Sequence, residues 1–228
     1  MSCNMFWSKR EKGNANKESL EGLLPKSEEL DFKTGTLPVV SSHFCTRNYS
    51  HVFTVQKMRN RSCSGGDIII NDSDSFPFAR ADARQCRLQE KRLLRNASGK
   101  PLLTLKRKLL SINNEWEVYR GETTDPAKLL LRARASYSLE RKTAVKVYMA
   151  YNNDDEQWNF IVKGDYIERE SVFYYGARTI AELSRKRGPD NEMLGRDTFQ
   201  ITVEPGVDYV FIMALVVILD EVNRKFTE

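Results

Sequence analysis

The chain is short of most of what marks a secreted or catalytic protein. Its 228 residues hold two histidines, His43 and His51, and four cysteines, Cys3, Cys45, Cys63 and Cys86. No two cysteines have C-x-x-C spacing, which favours free thiols over a disulfide framework or a zinc ribbon. There is no G-x-S-x-G and no Cys-His catalytic signature. Gly99-Lys100 is followed by Pro101 where a phosphate loop needs Ser or Thr, and Leu94 stands where the earlier Gly belongs, so the pair reads as a hairpin turn. His43 and Cys45 would share one face of a strand, but a zinc site takes about four ligands and no second pair follows. Asn71 to Ser75 has the composition of a calcium loop without its Gly or its terminal Glu. A non-enzyme without metal or cofactor is expected. No apolar run of signal-peptide length occupies the start, and no segment approaches about 18 apolar residues. The expected compartment is cytoplasmic, with a peripheral-membrane or nuclear pool as alternatives, and the Asn-x-Ser sequons are read as chance.

What is present begins with the stretch Val203 to Phe226. Its centre, Tyr209 to Leu219, runs eleven residues without charge, Gly or Pro. A surface helix shows polar residues every three or four positions, so a helix here must be enclosed on all sides. Eleven residues rise only about 17 Å, roughly half a bilayer core, and Asp208, Asp220 and Glu221 are read as closing the run at both ends. The expected core residues are Tyr209, Phe211, Ile212, Leu215, Val216 and Leu219.

Upstream, residues 1–36 carry six basic and six acidic residues with no sustained period, the composition of a disordered arm; the net charge of +5 therefore lies in residues 37–228. From Leu37 the texture changes to period-two runs separated by turn-forming clusters. Leu129, Leu131, Ala133 and Ala135 alternate with Lys128, Leu130, Arg132 and Arg134; Val145, Val147 and Met149 with Lys146 and Tyr148; Phe199, Ile201 and Val203 with Thr198, Gln200 and Thr202. About twelve such strands precede one wholly apolar helix. A single open sheet would leave long edges and a bare apolar face, whereas closing it around the helix removes both. A mainly β closed barrel threaded by its own C-terminal helix is expected, with two stacked sheets and a terminal helix as the alternative.

Several of these runs resemble a known family. Leu102 to Lys108, Trp116 to Gly121, Val162-Lys163-Gly164, Asp197-Thr198-Phe199, Pro205 to Tyr209 and Ile218 to Glu221 are similar, in order, to the plant LURP-one-related proteins. The resemblance implies the tubby C-terminal-like fold shared with phospholipid scramblases, a twelve-stranded barrel around a hydrophobic helix, and a plant pathogen-response setting. Two local departures stand out. The turn Asn71 to Ser75 lacks Gly, with Pro77 in the next strand pointing to an edge or a bulge, and the polar insertion Ser184 to Arg196 is longer than a turn needs.

Surface charge supplies the remaining functional signal. Lys106 and Lys108 share one strand face, as do Arg132 and Arg134, and such pairs on neighbouring strands would form a cationic patch. Strict alternation puts Arg107 on the face of Leu103, Leu105 and Leu109, which should be buried, so either a bulge shifts the register there or Arg107 snorkels at the barrel rim. The plainer reading of the four cations is solvated charge. The functional one is a non-enzymatic signalling module, or membrane-tethered regulator, that touches anionic phospholipid. Phosphoinositides come first because the resemblance implies tubby-like headgroup binding. Four cations at about 1 kcal/mol each give weak, reversible adhesion, so a second anchor such as acylated Cys3 beside Phe6 and Trp7 is weighed. A protein partner without lipid, and a transcription-associated role in which Arg185, Lys186 and Arg187 form a basic DNA-contacting loop, are the alternatives. A monomer is expected. Lipid scrambling is disfavoured because the helix is too short to span a bilayer.

Overall fold

The computed structural model describes residues 35–58, 66–82, 91–109, 111, 114–137, 142–152, 157–165, 170–186 and 197–224. Cys3, Phe6, Trp7, Cys63, Cys86 and Arg187 lie outside them. The strands are β1 (His51–Met58), β2 (Asp67–Asn71), β3 (Pro77–Ala81), β4 (Lys91–Asn96), β5 (Pro101–Arg107), β6 (Glu115–Arg120), β7 (Leu129–Tyr137), β8 (Lys142–Met149), β9 (Phe160–Asp165), β10 (Glu170–Tyr175), β11 (Arg178–Arg185) and β12 (Thr198–Val203). Each pairs antiparallel with its chain neighbours, and β12 closes the ring on β1, with His51 opposite Val203 and Gln56 opposite Thr198. That closure excludes the two-sheet alternative.

Period-two patterning directs the inner face. Phe53 and Val55, Ile68 and Ile70, Leu103 and Leu105, Leu131 and Ala133, Val145 and Val147, and Phe199 and Ile201 are buried against helix α1 (Tyr209–Arg224). The helix is buried around its whole circumference from Val210 to Leu219, Phe211 included, as a run without polar spacing requires. Tyr209 is half-buried at the rim, its ring 4.9 Å from His51, 5.4 Å from Phe78 and 5.6 Å from Phe44.

Charge fixes which way α1 points. Asp208 caps its N-terminus: Oδ1 accepts from the backbone N–H of Val210 and Phe211, and Oδ2 from those of Val39, Val40 and Ser41, at 2.7–3.2 Å. Burial pushes this carboxyl above its ordinary range, opposed by those N–H bonds. At the other end Lys57 pairs with Asp220 at 3.0 Å and the fully enclosed Arg92 with Glu221 at 3.2 Å. An anion at the helix N-terminus and cations at its C-terminus both suit the macrodipole. Asp220 and Glu221 therefore lie inside the helix rather than ending it, because the barrel wall supplies cations that let them be enclosed.

Other local readings change for physical reasons. β5 stops at Arg107, three residues short of its apolar pattern, because Lys108 to Ser111 form a turn; Leu109 is 66% exposed instead of buried. Arg107 stays opposite Trp116 with no register shift between β5 and β6, half-buried at the strand end. Since the closed ring leaves no edge, Pro77 is accommodated by a register shift at Ile70/Asn71. The glycine-free turn before it is held by Asp72, whose Oδ1 accepts from the N–H of Asp74 and Phe76, while Ser75 takes φ +68°. The Gly99-Lys100 turn has Gly99 at φ +81°, with Asn96 Oδ1 bonded to Lys100 N.

Candidate functional site

α1 fills the barrel. Beside its C-terminal end lies a cavity of about 50 Å³, lined by Val55, Lys57, Phe199, Leu219 and Asn223 among others. That holds a few waters but not a lipid headgroup. The outer wall is where this protein carries its charge.

Alternation points Lys91 and Arg95 of β4, Lys106 of β5, Arg132 and Arg134 of β7, and Lys142 and Lys146 of β8 outward; the carboxylates beside them are Glu115 and Glu117 of β6, Asp82 and Glu122, which pair with Arg95, and Asp165 of β9, opposite Lys142. The outer faces of β10–β12 and β1–β3 show a different balance, with Glu170, Glu182 and Asp67 against Arg80 and the exposed Arg178. One side of the barrel is basic, and the opposite side is slightly acidic.

Within the basic side the expected patch is interrupted. β5 and β7 are not neighbours, because β6 lies between them. Lys106 stands opposite Glu117, and Glu117 opposite Arg132. Lys108 lies just past the end of β5. Glu115, nearly enclosed, accepts from Arg134 Nε at 2.7 Å and from Lys108 Nζ at 3.5 Å. Glu117 accepts from the Tyr119 hydroxyl at 2.7 Å, and that burial and carboxylate push the phenol's pKa up. Arg132 donates to Asn152 O at 3.2 Å. Arg134 also packs over the Tyr148 ring at 4.8 Å, and Lys146 Nζ lies 4.1 Å from the Trp158 ring centre. The side chains are braced by neighbours, and the surface retains an excess of positive charge. Glu115 and Glu117 were legible in the sequence, since they flank the inward Trp116 with the opposite parity.

The other candidates are placed differently. Arg185 closes β11 on the inward parity opposite Phe199, and Lys186 donates to Thr54 Oγ1 at 2.8 Å, so these two do not extend as a free basic loop. His43 belongs to a 3₁₀ turn (Ser42–Phe44), not to a strand face shared with Cys45. Burial, with the Asp208 charge adding to it, pushes the Cys45 thiol up to about 11. Among the described residues no group of three or more His, Cys, Asp or Glu could hold a metal ion, and no helix is long and apolar enough to cross a membrane. The pair that sequence reasoning passed over is Arg92–Glu221. Arg92 shares its strand face with the buried Leu94, but Leu93 makes the other face apolar too, so the run does not tell which face is inward.

A closed twelve-stranded antiparallel barrel around a C-terminal helix, charged on one outer side, defines the class of protein. The chain belongs to the LURP-one-related family, whose profile matches residues 51–220. It is 36% identical over 189 residues to Protein LURP-one-related 15 of Arabidopsis thaliana, covering 82% of this chain and 86% of that one. It is 29% identical over 188 residues to Protein LURP1 of the same plant, covering 82% and 90%. A crystal structure of an Arabidopsis thaliana protein superposes with a TM-score of 0.63 at 30% identity, over 82% of this chain and 98% of that chain.

Proposed function

We propose that this protein is a non-catalytic signalling module of plant defence that docks on anionic membrane surfaces through the basic side of its barrel. The asymmetry of the wall carries this reading: Lys91, Lys106, Arg132, Arg134 and Lys146 outnumber Glu115 and Glu117 on one side, with no such excess opposite. Cations near an anionic leaflet contribute about 1 kcal/mol each, and salt screens that contribution over about 8 Å at physiological strength. Phosphoinositide headgroups, with the highest charge per lipid, are the preferred target.

The test is co-sedimentation of the full chain with neutral, phosphatidylserine and phosphoinositide vesicles at low and physiological salt. Anionic vesicles should pellet the protein and neutral ones should not. Lys91→Glu with Lys146→Glu, whose strand partners are Lys106 and Arg134 rather than Glu117, should weaken that binding by about tenfold or more while thermal melting stays cooperative. Arg134 is unsuitable for reversal, since it would leave the nearly enclosed Glu115 facing a second carboxylate. Equal binding by wild type and the double reversal would overturn the reading and direct attention to a protein partner.

A further inference from the structure

Two described side chains stand out as large, apolar and exposed: Phe76 at 67% and Leu109 at 66%. Single exposed apolar residues are ordinary on a protein surface, so what surrounds each decides what it can meet. Phe76 follows Asp72 and Asp74 in its turn. Leu109 follows Lys106, Arg107 and Lys108, and the Lys108 side chain is itself 57% exposed. The nearest carboxylate in the chain, Glu115, is covered by Lys108 and Arg134.

The position of Leu109 is fixed by backbone bonds. Lys108 N donates to Glu115 O at 2.9 Å, and Ser111 N to Lys108 O at 3.3 Å. Leu109 is thus the second residue of a turn that begins as the strand ends. Alternation alone would have placed it in the core with Leu105, and the turn carries it outward instead.

We propose that Leu109 is an apolar anchor that enters the acyl boundary of an anionic membrane while Lys106 and Lys108 bind the headgroups beside it. This inference rests on the membrane reading above and adds the second anchor that charge alone does not supply. Charge complementarity selects the occupant: the cations that precede Leu109 match an anionic leaflet, and the aspartates beside Phe76 would be repelled by it. A long aliphatic side chain beside lysines gains from burial in hydrocarbon while the ammonium groups remain at the headgroups.

The experiment compares the full-length wild type, Leu109→Asn, Leu109→Phe and Leu109→Trp on phosphatidylserine and phosphoinositide vesicles. Leu109→Asn should bind about tenfold more weakly and Leu109→Phe at least as well as wild type, with melting unchanged because the side chain is already exposed. The Leu109→Trp variant should show extra quenching by brominated acyl chains beyond that of wild type. If wild type binds and Leu109→Asn binds equally, without extra quenching in Leu109→Trp, the anchor is wrong and the charged-surface reading stands. If wild type fails to bind anionic vesicles at either salt, both fall. A shift of Leu109→Asn from dimer to monomer on gel filtration, with vesicle binding unchanged, would assign the residue to self-association and overturn the proposal.

Discussion

The two ends of α1 are held by different means. At the N-terminus a single carboxylate, Asp208, gathers five backbone N–H groups, two from the helix and three from residues 39–41. The surrounding contacts are backbone too: Leu37 N bonds Gly206 O, Gly206 N bonds Thr46 O, and Gly206 takes φ +80° where an added Cβ would lie 2.2 Å from Gly35 O. At the C-terminus the contacts run between side chains, as in Lys57–Asp220, Arg92–Glu221 and Thr143 Oγ1 to Asn223 Oδ1. A site built from backbone donors leaves one acceptable residue at its centre, while a site built from pairs can be replaced pair by pair.

Removing the cap should have the largest effect. Asp208→Ala deletes the N-cap acceptor and strands the N–H groups of the buried Val39 and Val40 and the half-buried Ser41, a loss of about 4–6 kcal/mol that approaches the whole stability of a typical domain. Urea unfolding should show little native baseline, and no change at the N-terminal end should rescue it. A well-folded Asp208→Ala protein would break the comparison. The opposite end should lose less and recover. Glu221→Leu leaves Arg92 charged and enclosed, at a cost of about 3–5 kcal/mol, and adding Arg92→Met should return most of it. A double-mutant cycle that fails to recover would show that the C-terminal contacts are as irreplaceable as the cap.

How far the sequence discloses this arrangement depends on where each side chain points. The barrel and its helix were legible because period-two runs and an unbroken apolar stretch carry their burial in the pattern itself. The helix ends were not, because Asp208 and Glu221 look alike in the chain and differ only in what the fold brings to them, backbone N–H at one end and Arg92 at the other. The basic side was half legible: parity placed Lys106, Arg132 and Arg134 outward, but strand order was needed to set β6 with its glutamates between them. Leu109 was misplaced because turn formation at Lys108 overrides alternation.

The smallest effect should come from the aromatic rim at the N-terminal end. Burial lowers the pKa of His51 below its ordinary 6.5. Between the folded and unfolded values the unfolded chain binds more protons than the folded one, so stability should fall as pH drops below about 6.5. Melting temperatures across pH 5 to 8 should show that slope in wild type, and His51→Gln should flatten it; an unchanged slope would remove the ring from the account.

Because β1 and β12 are partners, the wall cannot close until residues near 51 meet residues near 203, and α1 is synthesised after every strand that must surround it. A nascent chain therefore carries twelve apolar faces with no centre for them until Tyr209 to Arg224 follow. Such non-local closure makes for slow folding, and it leaves the unfinished barrel exposed to chaperones and proteases until the helix has been synthesised.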